Sequence, residues 1–316
     1  MSNKVIVGID TSNYTTSVAV IGLDGELIAN LKRPLPVKTG ECGLRQSDAV
    51  FAHVKNTPSI MQEMGEVLKG YIPVAVGVSE KPRNVEGSYM PCFLVGVGLA
   101  ESISAASDIP IYRFSHQCGH LTAALYSSKS FELFDREFCA FHVSGGTTEM
   151  LRVSPVGNGF RAEIVGATAD LNAGQAIDRV GVMMGLSFPA GRELEALALQ
   201  NTKKIPSASP KLRDLKINLS GLQNMAERMY KESGDKAHVA AFVLAYIERG
   251  LSLLADKYIE LYGDTPIVFA GGVMSNSIIK CSLAKKYDAR FAEPALSADN
   301  AVGIAYLGLR NYLSER

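Results

Sequence analysis

Two stretches of this chain follow one plan, and that repetition constrains its fold more than any other feature. Residues 4–21 read as an apolar strand, a tight polar turn and a second strand, with Asp10 at the end of the first strand. The plan returns at 139–153, CAFHVSGGTTEMLRV, where an apolar strand runs into Ser144, Gly145, Gly146, Thr147 and Thr148 and comes back. An architecture repeated after about 135 residues implies two similar α/β lobes. A length of 316 residues and 47% hydrophobic content are enough to give each lobe its own core.

A third turn, Gly271-Gly272, follows an apolar strand at 267–270 and leads into a helical pattern. The order strand, glycines, helix start builds an anion or nucleotide site, because unpaired backbone N–H groups point outward there and the helix dipole favours phosphate. Helical periodicity is expected over 48–68, 94–107, 116–127, 172–185, 190–201, 219–232, 236–262 and 299–313, with further strands near 72–79 and 110–113. The segment 203–218, rich in Pro, Ser and Lys, reads as a surface loop or linker.

Thirty-two basic against 32 acidic side chains and a pI near 7 argue against nucleic-acid binding by bulk charge, leaving a local basic face as the route to any such contact. Lys203, Lys204, Lys211, Arg213 and Lys216 are the candidates for one, although such residues in a polar loop are usually only a solvated surface. The apolar start is too short for a signal-peptide core, and no uncharged apolar run approaches a membrane span. Cys42, Cys92, Cys118, Cys139 and Cys281 are scattered without a Cys-x-x-Cys pair, so neither a disulfide framework nor a zinc ribbon is indicated. A cytoplasmic protein without a membrane partner is expected.

Ser115 supplies an N-cap for a helix carrying His116 and His120 four residues apart on one face, a spacing that suits two ligands of one metal. Two independently hydrogen-bonded histidines would show the same spacing. Asp299, in LSADNAVG, is the best third ligand by chain order, but Ser297 or Asp299 could instead cap the last helix. Asp170, Gly174 and Asp178 fall on one helix start, where a carboxylate could read a ribose, or Asp178 could pair with Arg179 or Arg192. Gly-x-Ser-x-Gly, Walker and Gly-x-Gly-x-x-Gly motifs are all missing.

Taken in order, VGIDTSNYTTSVAV, SHQCGH, VSGGTTEM, DLNAGQAIDRV, FPAG, INLSGL, AGGVMSN and LSADNA span nearly the whole chain. This series resembles the TsaD-type family, the catalytic subunit of tRNA threonylcarbamoyladenosine synthesis, within the actin-like ATPase and sugar-kinase superfamily. The resemblance implies an α/β fold of two RNase H-like lobes, 1–110 with 298–316 and 111–297, facing an interlobe cleft. It also implies that His116, His120 and Asp299 bind a divalent metal, iron or zinc, and that Val143, Ser144, Gly145, Gly146, Thr147, Asp178, Gly191 and Asn276 bind ATP, ADP or an AMP-type adenylate. The implied enzyme passes a (threonyl)carbamoyl group from the adenylate to an amine acceptor, either tRNA or a small molecule. TsaB- or TsaE-like protein partners and a dimer belong to the same expectation. No side chain stands out as a general base.

The departures from the family pattern cluster around the substrate shell. Ser12 is followed by Asn13, Tyr14 and Thr15 instead of an acidic pair, Thr147 stands where the family has His, and Leu171, Asn172 and Gln175 alter an Asp-Asp-Ala-Ala-Gly-Glu run. Pro-Gly-Gly-Pro reads Pro189-Ala190-Gly191-Arg192. SEKPRNVEGSYMPCFLVG, with Lys81, Arg83 and Tyr89, replaces a Gly-Pro-Gly segment. Arg83 and Arg192 could hold an anionic acceptor or be ordinary surface arginines. These losses suggest a divergent paralogue, and two rivals remain: a superfamily kinase or ATPase using Asp10, and a non-catalytic nucleotide-binding scaffold.

Overall fold

The computed structural model describes residues 3–12, 14–36, 44–157, 159–297 and 299–316; Asn13 and Cys42 lie outside them. Along the chain run β1 (Lys4–Ser12), β2 (Thr15–Gly22), β3 (Leu27–Pro34), α1 (Gln46–Val67), β4 (Ile72–Lys81), α2 (Phe93–Ser107), β5 (Ile111–Ser115) and α3 (His116–Ser128). There follow β6 (Phe138–Val143), β7 (Thr148–Val156), β8 (Gly159–Thr168), α4 (Ala173–Met183), α5 (Gly191–Ala198), β9 (Leu212–Arg213), β10 (Lys216–Ile217), α6 (Ser220–Ser233) and α7 (Lys236–Tyr262). The chain ends with β11 (Ile267–Ala270), α8 (Ser277–Lys286), β12 (Ala289–Phe291), α9 (Pro294–Ser297) and α10 (Val302–Ser314).

Two compact units result: Met1–Asp135 with Pro155–Arg161 and Ala295–Arg316, and Arg136–Ser154 with Ala162–Pro294. The expected boundary after residue 110 therefore shifts to 135. The reason is pairing: β5 lies parallel to β4, with Val76 opposite Ile111, which keeps β5 and the helix that follows it in the first unit. The C-terminal return begins at 295, close to the expected 298, which itself lies outside the described residues.

The first unit holds a five-stranded sheet in the order β3-β2-β1-β4-β5. Val5, Val7 and Ile9 of β1 pack with Ile60 and Met64 of α1 and Ala100 of α2 on one face. Ile6 packs with Ala19, Ile21, Ala301 and Ala305 on the other. Burial on both faces explains why β1 reads as a continuous apolar run and not as an alternation. On the α10 side Gly8 and Gly77 let the helix backbone rest on the sheet, since a Cβ at Gly8 would lie 2.5 Å from the Ala305 nitrogen.

The second unit's sheet runs β12-β11-β6-β7-β8-β10-β9. Its stretch β8-β7-β6-β11-β12 matches β3-β2-β1-β4-β5 position for position, the repeat that the two strand-turn-strand segments imply. α7 is long and apolar enough to cross a membrane by length and composition, but 72% of its most apolar window is buried in the core of this unit. The segment 203–218 is not a plain loop. Leu212–Arg213 and Lys216–Ile217 extend the sheet beyond β8, Ile217 is buried, and Arg249 Nη1 donates to the carbonyls of Pro206 and Ala208. Cys92, Cys118 and Cys139 are buried free thiols and Cys281 is an exposed one.

Candidate metal centre and nucleotide turns

α3 begins where β5 ends, and the Ser115 side chain caps it by accepting from Cys118 N at 3.2 Å. The turn spacing then stacks His116 over His120, with ring centroids 4.4 Å apart and the rings edge to face. α10 crosses α3 at two glycines: a Cβ at Gly303 would lie 1.9 Å from the Gly119 carbonyl oxygen, so nothing larger lets the backbones meet. That crossing brings Asp299 to the histidines, with Oδ1 3.2 Å from His120 Nε2 and 3.6 Å from His116 Nε2. Asp299 does not cap the last helix, which starts at Val302; Asn300 Oδ1 accepts the Val302 N–H at 3.0 Å.

A fourth residue completes the cluster. Asp10 is fully buried at the end of β1, and its Oδ2 accepts from His116 Nδ1 at 2.6 Å. This hydrogen bond fixes the ring and its tautomer and leaves Nε2 facing Asp299. Asp10 Oδ1 accepts the Ser12 N–H at 2.9 Å, while the buried Ser12 Oγ has no partner among the described residues. Donor atoms of His116, His120 and Asp299 all lie within 4.8 Å of one another. Two imidazole nitrogens and one carboxylate, with a carboxylate behind one imidazole, fit a divalent transition metal.

The electrostatics agree with that fit. Burial disfavours the His116 imidazolium, but Asp10 and Asp299 outweigh it and raise its pKa to about 10. Burial likewise opposes ionisation of Asp299, yet the two histidines hold it far below the usual carboxylate range. Asp10 is also lowered, with burial opposing and His116 prevailing. A cluster that attracts a proton this strongly in a small, partly buried space also suits a cation competing for it.

In the second unit β6 ends at Val143, and Ser144 to Thr147 form the turn that leads into β7. Ser144 Oγ accepts from Gly146 N and Thr147 N at 3.3 and 3.1 Å, holding the turn, and Ser144 O accepts from Gly174 N at the start of α4. Gly271 sits against Val143 with φ +102, and Gly174 sits against Gly145, each too close for a Cβ. Gly145 and Gly146 themselves face open space, so a ligand can approach their backbone. Gly191 opens α5, where Asp178 Oδ1 accepts from the preceding Ala190 N at 2.8 Å. After Gly271 the chain makes a tight 3-10 turn at Gly272–Ser275, so α8 starts only at Ser277. Asn276 caps it, its Oδ1 accepting from Ile278 N and Ile279 N at 3.1 Å. The cap uses the Asn276 side-chain oxygen and not its amide NH₂.

Several altered positions have structural duties. Beside them, Asp170 accepts from Leu171 N, Leu219 N, Ser220 N, Ser220 Oγ and Asn218 Nδ2, tying the start of α6 to the β8–α4 junction. Leu171 is buried in the core, and Gln175 Oε1 accepts from Asn172 N at the cap of α4. The segment that replaces Gly-Pro-Gly is anchored on α3, with Asn84 Nδ2 donating to Phe160 O and Cys118 Sγ and Pro82 O accepting from Gln117 N. Tyr14 and Tyr89 are exposed. Lys203 pairs with Asp235 at 2.7 Å.

A family model for TsaD, tRNA N6-adenosine threonylcarbamoyltransferase, matches residues 74–306. The chain is 32% identical to the tRNA N6-adenosine threonylcarbamoyltransferase of Streptococcus sanguinis (strain SK36), over 100% of this chain and 94% of that protein. It is also 32% identical to the protein of that name from Streptococcus gordonii, over 99% and 94%. Among solved structures it is similar to the activator of 2-hydroxyisocaproyl-CoA dehydratase from Clostridium difficile with bound ADPNP, with TM-score 0.56, 12% identity and coverage of 98% and 96%. ROK hexokinase from Thermus thermophilus is similar at TM-score 0.55 and 13% identity, covering 98% of this chain and 99% of that one. At such identities the structural likeness establishes the fold alone, and it is the actin-like ATPase and sugar-kinase fold.

Proposed function

Because the chain belongs to the TsaD family of tRNA N6-adenosine threonylcarbamoyltransferases, we propose that it passes a threonylcarbamoyl group from an adenylate to an amine acceptor, the N6 of a tRNA adenosine. In that step the acceptor nitrogen bonds to the carbamoyl carbon, the bond to the AMP phosphate oxygen breaks, AMP leaves, and the attacking amine loses a proton. The observation that carries this reading is the His116, His120 and Asp299 cluster with Asp10 behind His116, a set of groups that sugar kinases do not need.

His116, His120 and Asp299 would hold iron or zinc, which supplies Lewis acidity toward the carbamoyl carbonyl and offsets charge as AMP leaves. Asp10 keeps the His116 Nδ1 proton in place. The open backbone at Gly145 and Gly146 would take the adenylate phosphate, Asp178 the ribose, and the Asn276 amide a neighbouring polar group. With no side chain assigned as general base, positioning of the acceptor does most of the work. TsaB- or TsaE-like proteins and a cytoplasmic setting belong to this reading. The basic residues at 203–216 would meet tRNA phosphates, and the contact should weaken steeply with salt.

The deciding assay combines ATP, threonine, bicarbonate, an adenylate-forming partner and unmodified tRNA, and follows modified adenosine by mass spectrometry. The double variant His116→Ala/His120→Ala should lose about 10³-fold in rate, or about 4 kcal/mol of barrier. No product from a folded, metal-loaded, nucleotide-binding wild type would overturn the tRNA acceptor and direct the search to small-molecule amines. Nucleotide bound but never consumed would favour a scaffold.

A further inference from the structure

Behind the His116, His120 and Asp299 cluster lies a fully buried histidine that the transfer reaction does not use. His53, on α1, is wholly inaccessible to solvent. Its Nε2 is 2.8 Å from the Ser12 carbonyl oxygen and its Nδ1 is 2.8 Å from Thr16 Oγ1. A carbonyl only accepts, so Nε2 carries the proton and Nδ1 accepts from the Thr16 hydroxyl. Asn56 Nδ2 donates to Thr16 Oγ1 at 3.1 Å, which turns that hydroxyl's own proton toward the ring. Every donor in this line has one direction.

The line continues past Ser12. The peptide whose carbonyl follows Ser12 is gripped by His53, while the Ser12 N–H donates to Asp10 Oδ1 at 2.9 Å. Asp10 Oδ2 in turn accepts from His116 Nδ1 at 2.6 Å. The turn after β1 is therefore held between α1 and α3, and the residue that holds it on the α1 side is an imidazole with a fixed tautomer. A simple core histidine could satisfy its nitrogens anywhere; this one bonds the main chain two residues from the carboxylate that orients a ligand.

We propose that His53 is a positioning residue for the metal centre, acting through Ser12 on Asp10 and through Asp10 on the His116 ring. The proposal rests on His116, His120 and Asp299 being metal ligands. Removing the grip should let the turn relax, rotate the Asp10 carboxylate and weaken the hold on His116, with a loss at the lower end of the 10- to 100-fold typical of groups outside the ligand set, about tenfold.

The test uses the full-length protein. Zn²⁺ affinity is measured by competition with a chromophoric chelator for wild type, His53→Phe, His53→Gln and Thr16→Val, each with its metal-free melting temperature. The imidazole ¹⁵N shifts of His116 are recorded without metal. His53→Phe should bind Zn²⁺ about tenfold more weakly and move the His116 Nδ1 signal. His53→Gln, whose amide N–H can reach the Ser12 carbonyl, should restore both. Thr16→Val serves if the Phe variant does not fold, and should shift both readouts in the same direction by less. A lower melting temperature with unchanged affinity and unchanged His116 shift overturns the proposal. If wild type fails to bind Zn²⁺ while the His116 shift still responds to His53, the ligand reading fails and the positioning link stands; if neither responds, both fall.

Discussion

The turn after β1 and the turn after β6 occupy the same place in the five-strand order that the two sheets share, and they do opposite things with it. The first carries no glycine between Asp10 and Thr16, buries a carboxylate, and uses its backbone to hold that carboxylate in register with His116. The second carries Gly145 and Gly146, where a Cβ would meet nothing within 4 Å, and leaves that backbone uncovered by side chains. One turn is thus filled by a buried carboxylate and the other left open. In the first unit Gly8, Gly77, Gly119 and Gly303 serve packing instead.

That contrast between packed and open glycines can be broken directly. In Gly303→Ala the new methyl meets the Gly119 carbonyl and the Ala123 nitrogen, both main chain, so α10 must move off α3. Overpacking of this kind costs about 3 kcal/mol and should also abolish tight Zn²⁺ binding by withdrawing Asp299. Urea unfolding and metal titration check it, and a variant as stable as wild type would mean the crossing is looser than the geometry says. The carboxylate comes next in size. Asp10→Asn keeps the shape but can present N–H where His116 needs an acceptor, and Zn²⁺ affinity should drop about 10- to 100-fold. Unchanged affinity would detach Asp10 from the centre. Gly145→Ala is smaller still: stability should stay within about 0.5 kcal/mol, while binding of an adenine nucleotide, read by calorimetry, should weaken. If folding suffers instead, Gly145 belongs with the packing glycines.

Much of the first site could be read directly from residues because it is local. Ser115, His116 and His120 sit in one helical turn and a half, where periodicity alone sets their relation. Asp299 needed chain order and the family pattern, and the first N–H of the last helix goes to the neighbouring Asn300 and not to Asp299. Asp10 as the partner of His116 had no local signal: 106 residues separate them, and only the β1-β4-β5 order brings the two strand ends together. In the second unit the expected turns formed, but Asn276 and Asp170 show the limit of motif reading. A polar side chain before a helix satisfies the helix's own N–H groups first, and what remains for a ligand is a matter of geometry. β3, β8 and the short β9–β10 pair escape sequence reading for a related reason, since strands with one half-wet face interrupted by charge lack the apolar run that marks β1 and β6.

Asp170 and Asp10 sharpen the comparison at its smallest scale, because both are ionised carboxylates at the start of a turn, yet one is bonded to a histidine of the candidate centre and the other to the start of α6. For Asp170 burial works against ionisation, but hydrogen bonds from Ser220, Leu219 and Leu171 prevail and lower its pKa from 3.8 to about 2. A lowered folded-state value means that its contribution is complete above the unfolded pKa and disappears as pH falls through the folded one. Wild type should therefore lose stability between about pH 4 and pH 2 more steeply than Asp170→Asn, measured as urea midpoints at half-unit steps. Because Asp170 is exposed, the difference in slope should be modest and largest at low salt. Nucleotide affinity at neutral pH should hardly change in that variant. A clear loss of nucleotide binding with parallel stability profiles would return Asp170 to the nucleotide crevice and remove it from the α6 clasp.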